Sequence, residues 1–255
     1  MPPPHLTLAT VHGWGFNARV FDPLREPLTR AGIDLFCAEL PGHGGRGDEV
    51  VDPTLPAWAA DCLDALPADP VALLGWSLGG QVALEIAIRH PQRIGALILV
   101  SATPKFVEGP DWIYGCDPAV LDRFARDLET DYTGILDDFL FLQLQGRGEA
   151  RTLIPHLRAA LRMGGEPTPA GLRAGLEILR TTDLRVDVRD GVRVPVLLVA
   201  GRLDRLVPPE AEEWLAQALR TEPHWFEKAG HAPFLSDPEA FCRLLAGFLT
   251  GLDHA

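Results

Sequence analysis

Six short runs along the chain are almost continuously apolar: Leu6–Val11, Ile33–Glu39, Val71–Gly75, Ile94–Val100, Val194–Ala200 and, more weakly, His224–Glu227. Their length and unbroken hydrophobicity are those of strands covered on both faces. Between them, apolar residues recur at helical spacing over Phe21–Ala31, Leu55–Leu66, Gly80–His90, Pro209–Leu219 and Pro238–Leu249. Strand and helix in alternation predict an α/β protein, with a mostly parallel sheet and helices on both of its faces.

One stretch breaks the alternation. From Pro104 to Asp187 no run reads as a strand, and the spacing predicts helices over Pro118–Leu128, Tyr132–Gln145, Ala150–Met163 and Thr168–Thr181. An all-helical insertion between two strands has the form of a cap. The expected division is therefore a core of residues 1–103 and 188–255 with a helical cap over 104–187. The insertion follows the strand after the Gly80 helix, so it would overhang the carboxyl ends of the strands, where open α/β sheets bind ligands.

Composition narrows the partners. The 255 residues are 47% hydrophobic and 23% charged, with a formal net charge of −12, as expected of a globular domain with a substantial core. So acidic a surface repels nucleic acid and anionic membranes. No apolar run approaches the ~20 residues that span a bilayer, and Met1-Pro2-Pro3-Pro4-His5 lacks the basic and apolar regions of a signal peptide. Cys37, Cys62, Cys116 and Cys242 are widely spaced and imply neither a disulfide framework nor zinc. A reduced, cytoplasmic setting is the expectation.

The chemistry is carried by Val71-Ala72-Leu73-Leu74-Gly75-Trp76-Ser77-Leu78-Gly79-Gly80. An apolar strand runs into G-x-S-x-G and a helix follows. That context makes Ser77 a candidate nucleophile at the tip of a tight strand-to-helix turn, with small residues at 75 and 79 because backbone passes close on either side. A serine hydroxyl needs a base, and the base needs an acid to orient it. In this kind of fold the acid and then the histidine follow the serine in the chain. Asp204 lies in the loop after the Val194–Ala200 run, and His231 lies in Lys228-Ala229-Gly230-His231-Ala232-Pro233-Phe234 after the last run. Asp183 and Asp187 are alternative acids, at the end of the cap. An oxyanion needs two amide donors; Leu78 and Trp14, the latter in the post-strand loop Val11-His12-Gly13-Trp14-Gly15, are the candidates. The Trp14 ring either walls an acyl pocket or packs in the core, and His12 reads as a brace for the loop. No H-E-x-x-H and no histidine pair at ligand spacing point to a metal, and no G-x-G-x-x-G follows a strand. No cofactor is expected.

These motifs resemble the α/β-hydrolase fold, and in detail the pimeloyl-[acyl-carrier protein] methyl ester carboxylesterases of biotin synthesis. The resemblance rests on His12-Gly13-Trp14-Gly15-Phe16-Asn17-Ala18, on Gly75-Trp76-Ser77-Leu78-Gly79-Gly80, on Asp138-Phe139-Leu140-Phe141-Leu142-Gln143 with Gly175-Leu176-Glu177-Ile178-Leu179, and on Lys228–Phe234 with Phe241-Cys242. It implies attack by Ser77 on a methyl ester, release of methanol, and hydrolysis of the acyl-enzyme by water activated through His231. It also implies an acyl chain between core and cap, lined by Trp14, Ser77, Leu78, Phe139, Leu140, Phe141, Leu142, Gln143 and His231. Relatives of this kind grip an acidic carrier protein with cap arginines. Here Gly134 and Asp138 stand where two are expected, leaving Arg147, Arg151, Arg158 and Arg162 as possible carrier contacts. The leading strands of the fold look shortened, which implies a smaller sheet.

Three other readings stay open at this level. A general carboxylesterase for short acyl esters would use the same residues without a carrier protein. A carbon–carbon bond hydrolase or perhydrolase would as well. A ligand receptor on a hydrolase fold would retain the constellation without turnover.

Overall fold

The computed structural model describes residues 6–49, 51–128, 134 and 150–252; at 150–153, 155 and 156 it describes backbone alone. Its centre is the pair of strands with the most continuous hydrophobicity. β3 (Val71–Trp76) is buried along its whole length, and β4 (Ile94–Val100) is buried at every position but Gly95. β1 (Leu6–Val11) and β5 (Val196–Gly201) flank them, and β2 (Ile33–Ala38) and β6 (Pro223–Phe226) form the edges. The order is β2-β1-β3-β4-β5-β6, and every pairing is parallel rather than mostly so. The two edge strands are only partly covered, which departs from the expectation of burial on both faces: an edge strand has one neighbour and a helix on one side.

The helices follow the chain direction across this sheet. α1 (Asp22–Arg30) carries the chain from β1 outward to β2, whereas α2 (Leu55–Ala65), α3 (Leu78–Arg89) and α7 (Pro209–Leu219) carry it the other way. Right-handed crossovers in opposite directions put their helices on opposite faces. The packing agrees: α1 pairs with α8 (Pro238–Leu252), while α2 packs on α3, and α7 reaches α3 through the short helical turn Asp187–Gly191. Local chemistry sets several boundaries. Thr54 caps α2 through the Ala57 amide, and α7 ends at Arg220 in the left-handed conformation.

Between β4 and β5 the described residues hold a loop with two isolated bridges, Val107 to Cys116 and Gly109 to Trp112, and then the helices α4 (Pro118–Asp127), α5 (Ala150–Gly164) and α6 (Pro169–Thr181). The expected helix Tyr132–Gln145 lies outside the described residues apart from Gly134. α5 packs on the 3-10 turn Ala18–Phe21, and α6 on α4. α6 also crosses the loop after β2 at a glycine contact. Thr168 caps α6 through the Gly171 amide and donates its own amide to Gly42 O at 2.9 Å. A Cβ at Gly171 would lie 2.5 Å from Gly42 O, so the backbones touch. Gly171→Ala is expected to overpack this crossing at a cost of about 1–3 kcal/mol, lowering the melting temperature by about 2–10 °C in a thermal unfolding scan.

Candidate active site

Parallel pairing sends the loops after β1, β3, β5 and β6 to one edge of the sheet. The strand order reverses between β1 and β3, and the crevice at such a reversal is where open sheets bind ligands. Ser77 alone makes the turn there: β3 ends at Trp76, α3 starts at Leu78, and Ser77 has φ 57° and ψ −118°. A left-handed φ at a non-glycine residue costs on the order of 1–3 kcal/mol and persists only where the surroundings impose it. They do so here. The Ser77 amide donates to Val100 O at 3.0 Å. A Cβ on Gly75 would overlap Gly79 O and approach Ala83 Cβ at 2.7 Å, and one on Gly79 would overlap Val11 O. Ser77 stands at the N-cap of α3, yet its hydroxyl makes no cap hydrogen bond, because the strained backbone turns it away from the helix.

The loop after β1 lies against this turn. A Cβ on Gly13 would sit 3.2 Å from both Ser77 Cβ and the Trp76 ring, so the chain carrying the Trp14 amide passes beside the serine. Leu78 is the first residue of α3, and its amide is one of the four at a helix start with no carbonyl partner inside the helix. The Trp14 ring is buried between core and helices: its Nε1 donates to Leu172 O at 2.8 Å, and it stacks on Phe124 at 6.3 Å. It therefore packs between the sheet and the helices α4 and α6, the packing reading considered for it.

Two buried histidines brace the loop. His12 Nε2 lies 3.1 Å from the Leu40 amide and 3.2 Å from Glu39 Oε2, and its Nδ1 lies 2.8 Å from Gly13 O. His43 accepts from the Gly15 amide at Nε2 (3.3 Å) and donates from Nδ1 to Pro41 O at 2.9 Å. Burial, and secondarily the neighbouring His12, hold His43 down to a pKa of about 3, so it stays neutral as this pattern requires.

Asp204 and His231 meet through backbone zippering of their loops. Leu203 N donates to Ala229 O at 2.9 Å and Arg202 N to Phe226 O at 3.1 Å. Gly201 makes the approach possible, since a Cβ there would overlap Gly230 O. His231 Nδ1 lies 2.7 Å from Asp204 Oδ2, with both side chains buried. The other Asp204 oxygen accepts from the Leu206 and Val207 amides at 2.8 and 3.0 Å. Three donors and full burial orient this carboxylate for one task, holding the imidazole proton on Nδ1. His231 Nε2 is buried and has no hydrogen-bond partner, so Ser77 Oγ is outside bonding range of it, as is common before substrate tightens such contacts. The Trp76 indole donates to His231 O at 2.8 Å, and its ring packs at a tilt against Phe16 and edge-on against Phe234, which locks the histidine loop to β3.

The alternative acids lie elsewhere. Asp183 is taken up by Arg185 and Lys105, and Asp187 by Arg89. Phe139, Leu140, Phe141, Leu142, Gln143, Asp138 and Arg147 lie outside the described residues, as does the side chain of Arg151. Arg158 and Arg162 are exposed on α5. Among the described residues no three His, Cys, Asp or Glu side chains gather to hold a metal ion, and no helix is long and apolar enough to cross a membrane. The four cysteines are free thiols.

Sequence reasoning missed His43, the indole of Trp76 and Glu212. His43 stands between glycines just after a strand, the same setting that singled out His231. Glu212 occupies an apolar position of α7, one turn before Leu215 and Ala216. It is 1% exposed and neither carboxylate oxygen has a hydrogen-bond partner. Burial, and then the charge of Asp204, raise its pKa well above the usual range.

Comparison with known proteins agrees with this geometry. The alpha/beta hydrolase family model matches residues 9–244. The chain is 41% identical to the pimeloyl-[acyl-carrier protein] methyl ester esterase of Nitrosomonas europaea, covering 92% of each, and 41% identical to that of Aromatoleum aromaticum, covering 96% and 98%. The corresponding Klebsiella pneumoniae protein is 40% identical, covering 97% and 94%. Among solved structures, an esterase from Exiguobacterium antarcticum superposes with a TM-score of 0.87 at 23% identity, covering 96% and 92%; this likeness shows the fold. The chain belongs to the alpha/beta hydrolase family. Within it, its place is with the pimeloyl-[acyl-carrier protein] methyl ester esterases.

Two buried groups give opposite pH signatures. Unfolded, a histidine binds its proton near pH 6.5, whereas folded His43 resists until about 3; as pH falls through that window the unfolded state binds one more proton. Stability should fall by about 1.4 kcal/mol per pH unit from this residue alone, and His43→Asn should flatten the slope of urea-unfolding free energy between pH 6.5 and 4 by about one proton. Glu212 has a raised folded pKa, so it penalises folding increasingly as pH climbs above 4.5. Glu212→Gln should therefore stabilise the protein more at pH 8 than at pH 4.5 in the same assay.

Proposed function

We propose that this protein is a carboxylesterase that hydrolyses pimeloyl-[acyl-carrier protein] methyl ester to pimeloyl-[acyl-carrier protein] and methanol, in biotin synthesis. Ser77 is the nucleophile, His231 the base and Asp204 the acid that orients it. One observation carries the reading: a buried imidazole tied to Asp204 at 2.7 Å through Nδ1 whose Nε2 is left without a partner, beside a strained serine. The identity of about 40% to esterases of that name over more than nine-tenths of the chain supports the substrate.

His231 Nε2 takes the Ser77 proton as Oγ attacks the ester carbonyl carbon. The carbonyl oxygen gains negative charge and is held by the amides of Leu78 and Trp14. The tetrahedral centre collapses, the carbon–methoxy bond breaks, and His231 returns the proton to give methanol. Water then gives a proton to His231 and attacks the acyl-enzyme. Breaking the bond to Ser77 Oγ, which takes that proton back from His231, leaves the carboxylic acid, which then loses its own proton to solvent as the carboxylate. Asp204 keeps the imidazole in the required tautomer and stabilises the transient imidazolium.

Residues 104–187 form the cap over this centre. The acyl chain runs between core and cap against the Trp14 ring, with Phe139–Gln143 as further lining. Arg147, Arg151, Arg158 and Arg162 supply the positive charge that an acidic carrier protein requires, in place of the arginines absent at Gly134 and Asp138.

Ser77→Ala should lower kcat on p-nitrophenyl butyrate by about 10⁶-fold and Asp204→Asn by about 10⁴-fold; full turnover in the serine variant would refute the nucleophile. Paired reversals Arg158→Glu and Arg162→Glu should raise KM for the carrier-bound methyl ester by about tenfold and spare a free methyl ester. Equal response of both substrates would refute the carrier surface. Rescue of a biotin-requiring strain that lacks this esterase tests the substrate.

A further inference from the structure

Asn17 lies three residues beyond Trp14 and is 1% exposed. Its amide side chain is divided between two tasks. Oδ1 accepts from the Arg19 amide at 3.1 Å and starts the turn Ala18–Phe21. Nδ2 leaves the core and donates to Gly165 O at 3.0 Å and Leu161 O at 3.1 Å, with Ala160 O at 3.4 Å. These carbonyls gather at the end of α5, where a helix cannot satisfy its own last carbonyls. Gly164 admits the amide, since a Cβ there would lie 2.5 Å from Asn17 Nδ2.

The same loop holds the insertion at a second point. Trp14 Nε1 donates to Leu172 O at 2.8 Å on α6, and Gly175 admits the ring, because its Cβ would lie 2.6 Å from Trp14 Cδ1. Little slack separates the two contacts. Phe16 N is bonded to Gly13 O at 3.3 Å, and Gly15 N to His43 Nε2 at 3.3 Å. A displacement of the end of α5 is therefore passed to the Trp14 amide instead of being absorbed by a loose loop. Misplacing a catalytic group by about 1 Å can cost about 10²-fold in rate.

We infer that Asn17 is a positioning residue that clamps the end of α5 to the loop after β1 and thereby sets the Trp14 amide, making oxyanion geometry depend on where the helical insertion sits. The inference rests on the reading of Trp14 and Leu78 as oxyanion donors. It separates Asn17 from a residue that merely holds the cap: such a residue would affect long acyl chains through KM, whereas a clamp on the oxyanion loop acts on kcat even for an acyl group too short to fill the space under the cap.

The test is steady-state kinetics on p-nitrophenyl acetate and on dimethyl pimelate, with melting temperatures measured alongside. Asn17→Ala should lower kcat on the acetate tenfold or more with KM within about twofold. Asn17→Asp, which keeps the acceptor for Arg19 but loses the donor, should show the same loss. Gly164→Ala disturbs the clamp from the insertion's side and should lower the acetate kcat several-fold; it carries the test alone if the Asn17 variants do not fold. Wild-type kcat on the acetate in folded Asn17→Ala, with KM raised only for dimethyl pimelate, overturns the inference and leaves the esterase reading intact. Loss of kcat only in proportion to unfolded protein overturns it as well. Wild-type turnover that survives Ser77→Ala overturns the esterase reading and the inference together.

Discussion

The end of β1 and the start of α3 cross within van der Waals contact, and much of the site depends on that crossing. Gly13 lies against Ser77 Cβ, Gly79 against Val11 O, and Gly75 against Gly79 O. A side chain at Gly75 would push α3 off β3, and one at Gly79 would push α3 off the end of β1, at the point where strand order reverses. With the backbones in contact, Ser77 has no room for an ordinary helical entry and takes φ 57°. The strain has a chemical consequence: a serine at an N-cap would normally bond its own helix, and this one is held out of that bond, toward the loop that carries Trp14.

Around this crossing the protein buries His12, His43, Asp204, Glu212 and His231. Asp204 accepts three hydrogen bonds, from the Leu206 and Val207 amides and from His231. His43 is buried with one donor and one acceptor contact, and acceptance at Nε2 from the Gly15 amide needs the neutral ring, which desolvation also favours. Glu212 is the exception. It sits near Asp204 without a partner, and its burial favours the protonated acid.

The helical insertion is not simply laid on top of the core. Thr168 on Gly42, Trp14 on Leu172 and Asn17 on Gly165 bind its second half to loops at the carboxyl edge of the sheet. Two of those three contacts come from the segment that also supplies the candidate oxyanion amide. Contacts to the helical insertion and the candidate oxyanion amide of Trp14 thus lie in one short stretch of chain, Gly13 to Asn17.

What the chain determined by itself is local. Strand runs such as Leu6–Val11 and Ile94–Val100, helices such as Pro209–Leu219, and the turn at Ser77 are legible because each rests on periodicity or on glycines a few residues apart. The order Ser77, Asp204, His231 was legible too, because each candidate follows an apolar run. Only tertiary structure showed that Asp204 meets the histidine: Asp183 and Asp187, at the end of the insertion, are held on the surface by arginines and a lysine. Equally hidden were the neutrality of His43, the partnerless burial of Glu212 and the reach of Asn17 across 148 positions to Gly165. Each depends on what the fold brings alongside, and a side chain's hydrogen-bond partners and its desolvation are properties of that neighbourhood, which leaves no periodic trace in the sequence.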